Sequence, residues 1–422
     1  MMKVLWIVNI PLPEAAKAFG FSNALSGTWI IGQLEEIRKR DDISLSVCCV
    51  SGETKRLLDK TVNGVRYIVL PTESYLNEFR KLYSELNPDV THIYGSELLT
   101  SHKIGEITDK ERTVLSIQGL IYICAYHFFD GIPRKYTRKR LFTSLLNKIH
   151  STDIIALGRE GFEKLGESEK KFISSMKYVI GRTEWDKACV SQLNREIKYY
   201  KCYEILRNEF LTSERWSAKT CEPHSVFMTA SEYPIKGLHI ALEGFSILKK
   251  RYPDLKIYVA GDRHTSHDNR LKRFISSVLY EYNGYIEKLI RQYDLKDNIV
   301  FLGPLAAEEM KREYLKANAY VLSSSVENGS NSLGEAMILG VPCVTSYVGG
   351  VCDMLVNGAE GYLFPLNAPY MLAHYLERVF EGDFPSDMCD RASAHSAKTY
   401  DAKTNTETLI GVYNEIIGNK KN

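Results

Sequence analysis

Short apolar runs alternate with helical patterns along this chain, dissolve at a polar stretch, and then begin again. Val4 to Val8, Ile43 to Val50, Tyr67 to Leu70, Val90 to Tyr94 and Val114 to Ile117 read as strands, with helical segments such as Thr28 to Lys39 between them. Strands that are apolar throughout, separated by helices, imply a parallel sheet covered on both faces. The pattern continues with expected strands at Ile154 to Leu157 and Tyr178 to Gly181, and dissolves between Asn208 and Pro223. It resumes with Ser225 to Thr229, a helix from Leu238 to Lys250, Lys256 to Ala260, Ile299 to Leu302, Ala319 to Leu322 and Val341 to Thr345. A chain of 422 residues is long enough for a core in each half. The expected fold is α/β, with two Rossmann-like doubly wound domains facing each other across a cleft. Their expected bounds are 1–207 and 224–395, with a linker at 208–223 and a carboxy-terminal helix in 396–422 that can cross back to the first domain. Ligands of such sheets bind beyond the carboxyl ends of the strands, so the loops there carry the search for function.

Charge and composition remove several function classes. A formal net charge of +2 with a pI near 7.9 provides no electrostatic footprint for nucleic acid. Nine cysteines, without a Cys-x-x-Cys pair, are expected to be reduced core residues, and no metal site is expected. The opening apolar run is interrupted by Asn9, Pro11 and Pro13, as expected of a first strand and not of a signal peptide. With no apolar run of membrane-spanning length, a cytoplasmic protein is expected, peripheral to the inner membrane face at most. Neither half has Gly-x-Gly-x-x-Gly after its first strand and no P-loop motif occurs, which weakens dehydrogenase and nucleotide-hydrolase readings.

The stretch from Ser323 to Pro342 holds two carboxylates, Glu327 and Glu335, with seven residues between them, across an expected strand-to-helix turn. Glu327 falls in the loop and Glu335 in the first turn of a helix expected from Leu333 to Leu339, where unpaired N–H groups favour an anion. Ser332-Leu-Gly-Glu335 also spells a capping box, which would make Glu335 structural. A second loop, Thr229 to Leu238, places Lys236 just before a helix whose apolar positions are Leu238, Ala241, Leu242, Phe245 and Leu248. A helix N-terminus disfavours a cation by a few tenths of a kcal/mol up to roughly 1. Lysine there makes sense if an anion lies between them.

These residues resemble glycosyltransferase family 4, the retaining nucleotide-sugar transferases of the GT-B fold. The resemblance is carried by Lys236-Gly237, the Glu327 to Glu335 spacing with Ala336-Met337 and Gly340-Val-Pro342, and Val348-Gly-Gly350 with Asn357-Gly-Ala-Glu-Gly361. Phe301-Leu-Gly303 looks like the family's strand end near the nucleobase. The match runs from about residue 225 to 366 and is topological before that. It implies a nucleotide diphosphate sugar as substrate, no cofactor, and a hexosyltransferase-like transfer. Lys236 would bind the donor diphosphate, Glu327 the donor sugar and Glu335 the ribose, and the loop Gly329-Ser330 with the N–H groups of Asn331, Ser332 and Leu333 would cap sugar and phosphate. Gly27 would lie against the diphosphate. The family's usual arginine is replaced by Ser231, for which Arg263 is the candidate substitute, and its usual histidine by Gln118, which can hydrogen-bond but not act as acid or base. With no Asp-x-Asp in the chain, Lys236 and helix N-termini are expected to do a metal's task at the departing diphosphate.

The acceptor, a glycan or a lipid-linked one, is expected at the first half, where His92, Glu97 and Gln118 mark strand ends. Five cations between Pro133 and Phe142, followed by Leu145 and Leu146, form an amphipathic stretch at 133–146 for peripheral contact with an anionic membrane. A nucleotide-sugar epimerase of the same fold and an inactive sugar-binding scaffold remain open beside transfer.

Overall fold

The computed structural model describes residues 1–21, 28–133, 154–229, 233–261 and 281–418. They form two compact units, one of residues 1–122, 163–207 and 399–422, the other of 123–162 and 208–398. The chain passes between them within the helices Ile121–His127 and Ile154–Ser174 as well as after Arg207 and Lys398.

The first unit is built on eight strands: β1 (Met2–Ile7), β2 (Ile43–Ser51), β3 (Leu58–Val62), β4 (Val65–Pro71), β5 (Val90–Tyr94), β6 (Thr113–Ser116), β7 (Tyr178–Gly181) and β8 (Lys198–Lys201), in the order β3-β4-β2-β1-β5-β6-β7-β8. All neighbours pair in parallel except β3 with β4. That hairpin turns at Asn63-Gly64, whose φ of 47° and 81° suit a two-residue loop. β1 is central and its Trp6 is fully buried. The last helix, Ala402–Gly418, contributes Leu409, Val412, Tyr413 and Ile416 to this core, and Trp6 Nε1 donates to Tyr413 Oη at 3.0 Å. Buried donors need partners, so this bond fixes the helix as well as filling space.

The second unit has six parallel strands, β9 (Glu222–Met228), β10 (Lys256–Ala260), β11 (Ile299–Gly303), β12 (Ala317–Leu322), β13 (Cys343–Ser346) and β14 (Tyr362–Phe364), in the order β11-β10-β9-β12-β13-β14. Building runs outward from β9 through β10 to β11, then jumps to β12 on the other side. The order therefore reverses between β9 and β12, the place where doubly wound sheets open a crevice for ligands. Leu238, Ala241, Leu242, Phe245 and Leu248 of the helix Leu238–Leu248 are all buried in the core, as their spacing requires.

Three expectations are corrected. Ile154 to Leu157 begins a helix, not a strand: the helix Ile154–Ser174 continues past a break at Gly158 (φ 61°). A four-residue apolar run cannot by itself distinguish the two. The stretch 208–223 is not a loose connection, because Phe210 is fully buried and Trp216 Nε1 donates to Ala317 O at 2.7 Å. The nine cysteines are free, but four are buried (Cys48, Cys49, Cys202 and Cys343) and the rest half-buried.

Candidate functional site

Lys236 follows β9 and Glu327 follows β12, so the two lie on the loops that leave the strands flanking the reversal in strand order. Lys236 closes a short 3-10 turn, Pro234–Lys236, after which Gly237 (φ 69°) starts the helix Leu238–Leu248. A Cβ on Gly237 would stand 1.8 Å from Ser323 O, so only glycine lets the lysine loop approach the glutamate loop this closely. Ser325 N–H donates to Ile235 O at 2.7 Å, and Ser323 Oγ to Gly237 O at 2.9 Å. The serines that read as an ordinary polar loop are the stitches between the two loops.

Lys236 Nζ donates to Glu327 Oε1 at 2.6 Å, with 23% and 12% of the two side chains exposed. Ser324 Oγ donates to the same oxygen at 2.7 Å. Among the described residues Oε2 has no hydrogen-bond partner, so one oxygen anchors Glu327 and the other is left open. Burial works against the Lys236 charge, but the Glu327 carboxylate outweighs it and raises the ammonium's pKa well above its ordinary value. The Glu327 backbone is held as well: Gly350 N–H donates to its carbonyl at 3.0 Å, and a Cβ on Gly349 would sit 2.0 Å from that oxygen.

The helix after this loop is Asn331–Ile338 and its N-cap is Ser330, whose Oγ accepts from Leu333 N–H at 3.4 Å. The capping box expected at Ser332 and Glu335 does not form. Helix formation begins two residues earlier, so Glu335 sits beyond the first turn, 4% exposed, and is no reciprocal cap. Ser332 Oγ instead accepts from Tyr320 Oη at 2.9 Å. The Leu333 N–H, expected to face a ligand, is taken by Ser330. Gly329 and Ser330 are buried beside the pair, while Asn331 and Ser332 are half-buried. Gly27, Ser231, Arg263 and 134–146 of the basic stretch lie outside the described residues.

In the first unit, strand order reverses between β1 and β5, and Glu97 stands there. Its Oε1 accepts from Gly119 N–H at 2.7 Å and its Oε2 from Asn9 Nδ2 at 3.3 Å, joining the ends of β1, β5 and β6. Burial pushes the Glu97 carboxyl up from its ordinary value. Gln118 immediately precedes Gly119, and its carbonyl accepts from Arg182 Nη2 at 3.0 Å. His92 is placed differently from a wall of the site: it is 1% exposed, with Nδ1 at 2.6 Å from Tyr413 Oη and Nε2 at 2.6 Å from Ser116 Oγ. Burial lowers its pKa to about 3, so it is a neutral core histidine with both nitrogens engaged.

Residues 214–399 match the family model for glycosyl transferases group 1. An uncharacterized glycosyltransferase of Bacillus subtilis, YqgM, is 32% identical over 124 residues, 29% of this chain and 30% of that protein. The chain spans less than half the length of the curated relatives it matches first. Among solved structures, sucrose-phosphate synthase from Thermosynechococcus elongatus aligns with a TM-score of 0.69 and 14% identity, over 99% of this chain and all of that one. Anabaena HepE in complex with UDP-glucose aligns with a TM-score of 0.66 and 13% identity, over 98% of this chain and all of that one. The fold is GT-B, with two α/β parallel-sheet units. No helix among the described residues is long and apolar enough to cross a membrane.

Proposed function

We propose that the chain is a retaining glycosyltransferase that moves a sugar from a nucleotide diphosphate sugar to a glycan or lipid-linked acceptor. The observation that carries this reading is the Lys236–Glu327 pair at 2.6 Å on the two loops flanking the strand-order reversal. The group 1 match over that unit and the UDP-glucose held by the HepE relative in fold support it. Breaking the bond from the anomeric carbon to the β-phosphate places negative charge on the departing diphosphate. A fixed ammonium in a partly dry site stabilises that charge without reorganising. In this reading Lys236 takes that role in place of a divalent cation. Glu327 Oε2 orients the sugar, the departing phosphate takes the acceptor's proton, and Glu335 holds the ribose. The acceptor lies with Glu97 and Gln118 of the first unit. Retention and a role in bacterial surface polysaccharide synthesis come with the family 4 resemblance.

Product formation and donor hydrolysis, measured with a panel of nucleotide sugars, test the reading. Lys236→Ala and Glu327→Ala should each lower transfer by about a hundredfold or more. Near wild-type rates in both would remove it. An epimerase would convert donor without acceptor, and a scaffold would release no nucleotide.

A further inference from the structure

The segment that follows the helix Ile121–His127 belongs to the second unit and is fastened to both loops of the Lys236–Glu327 site. His127 O accepts from Ser325 Oγ at 3.0 Å, and Ser325 is two residues from Glu327. Asp130 O accepts from His239 Nε2 at 2.7 Å, and His239 is three residues from Lys236. Burial lowers the His239 pKa to about 4, so that ring is neutral and donates from Nε2 while Nδ1 accepts from Tyr282 Oη at 3.0 Å. Phe128 is 3% exposed, and Gly131 (φ 75°) closes the turn where a Cβ would meet His239 Nε2 at 3.1 Å. The turn itself is kept by backbone: Asp130 N–H donates to His127 O at 3.3 Å.

The imidazole of His127 takes no part in those backbone bonds. Its Nδ1 lies 2.6 Å from Asp130 Oδ2, and 41% of the side chain is exposed. A carboxylate can only accept, so the contact selects the tautomer with the proton on Nδ1, in which Nε2 carries a lone pair and is an acceptor. Among the described residues Nε2 has no hydrogen-bond partner. An oriented imidazole with an open acceptor, on a residue whose carbonyl is bonded to Ser325 in the glutamate loop, suits a ligand rich in hydroxyl groups. We propose that His127 is a further donor-site residue whose Nε2 accepts a hydrogen bond from a hydroxyl of the transferred sugar, while Asp130 positions the ring. The proposal rests on the donor-site reading above.

Titration calorimetry of the full chain with UDP-glucose, UDP-N-acetylglucosamine and GDP-mannose, and with UDP and GDP alone, tests it. His127→Phe keeps a ring and removes the acceptor. It should weaken the sugar nucleotide that the wild type binds by about tenfold, with the affinity for the bare nucleoside diphosphate and the Tm unchanged. His127→Gln, which retains an acceptor, should restore most of that loss. Unchanged binding in His127→Phe overturns the proposal. So does an equal loss for sugar nucleotide and bare diphosphate accompanied by a lower Tm, which would make His127 a structural turn residue. A wild type that binds none of these probes defeats the donor-site reading itself, and this proposal with it.

Discussion

Replacing Glu327 by glutamine should weaken the fold and tighten the binding of a bare nucleoside diphosphate. The substitution keeps the shape of the side chain and the hydrogen bonds at Oε1 but removes the charge opposite Lys236. Unit charges at the observed 2.6 Å attract by about 6 kcal/mol at an effective dielectric of about 20. Desolvation of two mostly buried side chains offsets much of this, leaving about 2–3 kcal/mol as the cost of stranding Lys236. In a unit of this size that lowers Tm by about 5–10 °C. The stranded ammonium then has only the ligand as a counter-charge, so UDP or GDP should bind several-fold to about tenfold more tightly. The same ligand should raise the Tm of Glu327→Gln more than that of the wild type, whereas turnover of the sugar nucleotide falls. Scanning fluorimetry and calorimetry with UDP and GDP measure all three. Diphosphate affinity that falls in Glu327→Gln would refute the premise that Lys236 serves the phosphates and is held in reserve by Glu327.

Two further outcomes follow from buried geometry. Glu169 is fully buried against Ser96 Oγ and Tyr122 N–H, and burial pushes its carboxyl up to about 8 against those hydrogen bonds. Between about 4.5 and 8 the native state keeps a proton that the unfolded chain has lost, so stability falls as pH rises through that window, by about 1.4 kcal/mol per pH unit. His92, held near 3, acts oppositely below 6.5, so in the first unit the decline emerges between 6.5 and 8. Urea midpoints should fall over that range in the wild type and stay level in Glu169→Gln; a level wild type defeats the assignment. Gly237→Ala and Gly349→Ala drive a Cβ against Ser323 O and Glu327 O and should each cost about 2–4 kcal/mol and most of the transfer activity. Intact activity in either variant would mean that the close approach of these loops is dispensable.

Most of the sheet was legible in the sequence because buried parallel strands are apolar on both faces. Val90 to Tyr94 and Lys256 to Ala260 are strands at the expected residues. The strands that went unread are β3, β8 and β14, all at sheet edges: in β3 and β8 pairing on one side relaxes the demand for apolar residues, and β14 is only three residues long. β3 nevertheless had a local signal in Asn63-Gly64. At the site, the spacing of Glu327 and Glu335 misled as to capping, since Ser330 and Ser332 compete for the helix start and only packing around Tyr320 decides between them.

Sequence alone determined the two apolar sheets, the helix that follows Lys236, and a near-neutral charge balance. These depend on local periodicity and composition, which a linear string records. Tertiary structure decided that Lys236 and Glu327, ninety-one residues apart, form an ion pair, that His92 belongs to the core, and that His127 belongs beside the glutamate loop. Each of these depends on which strands become neighbours. Strand order is set by the packing of helices on both faces of a sheet, and no short window of sequence contains it.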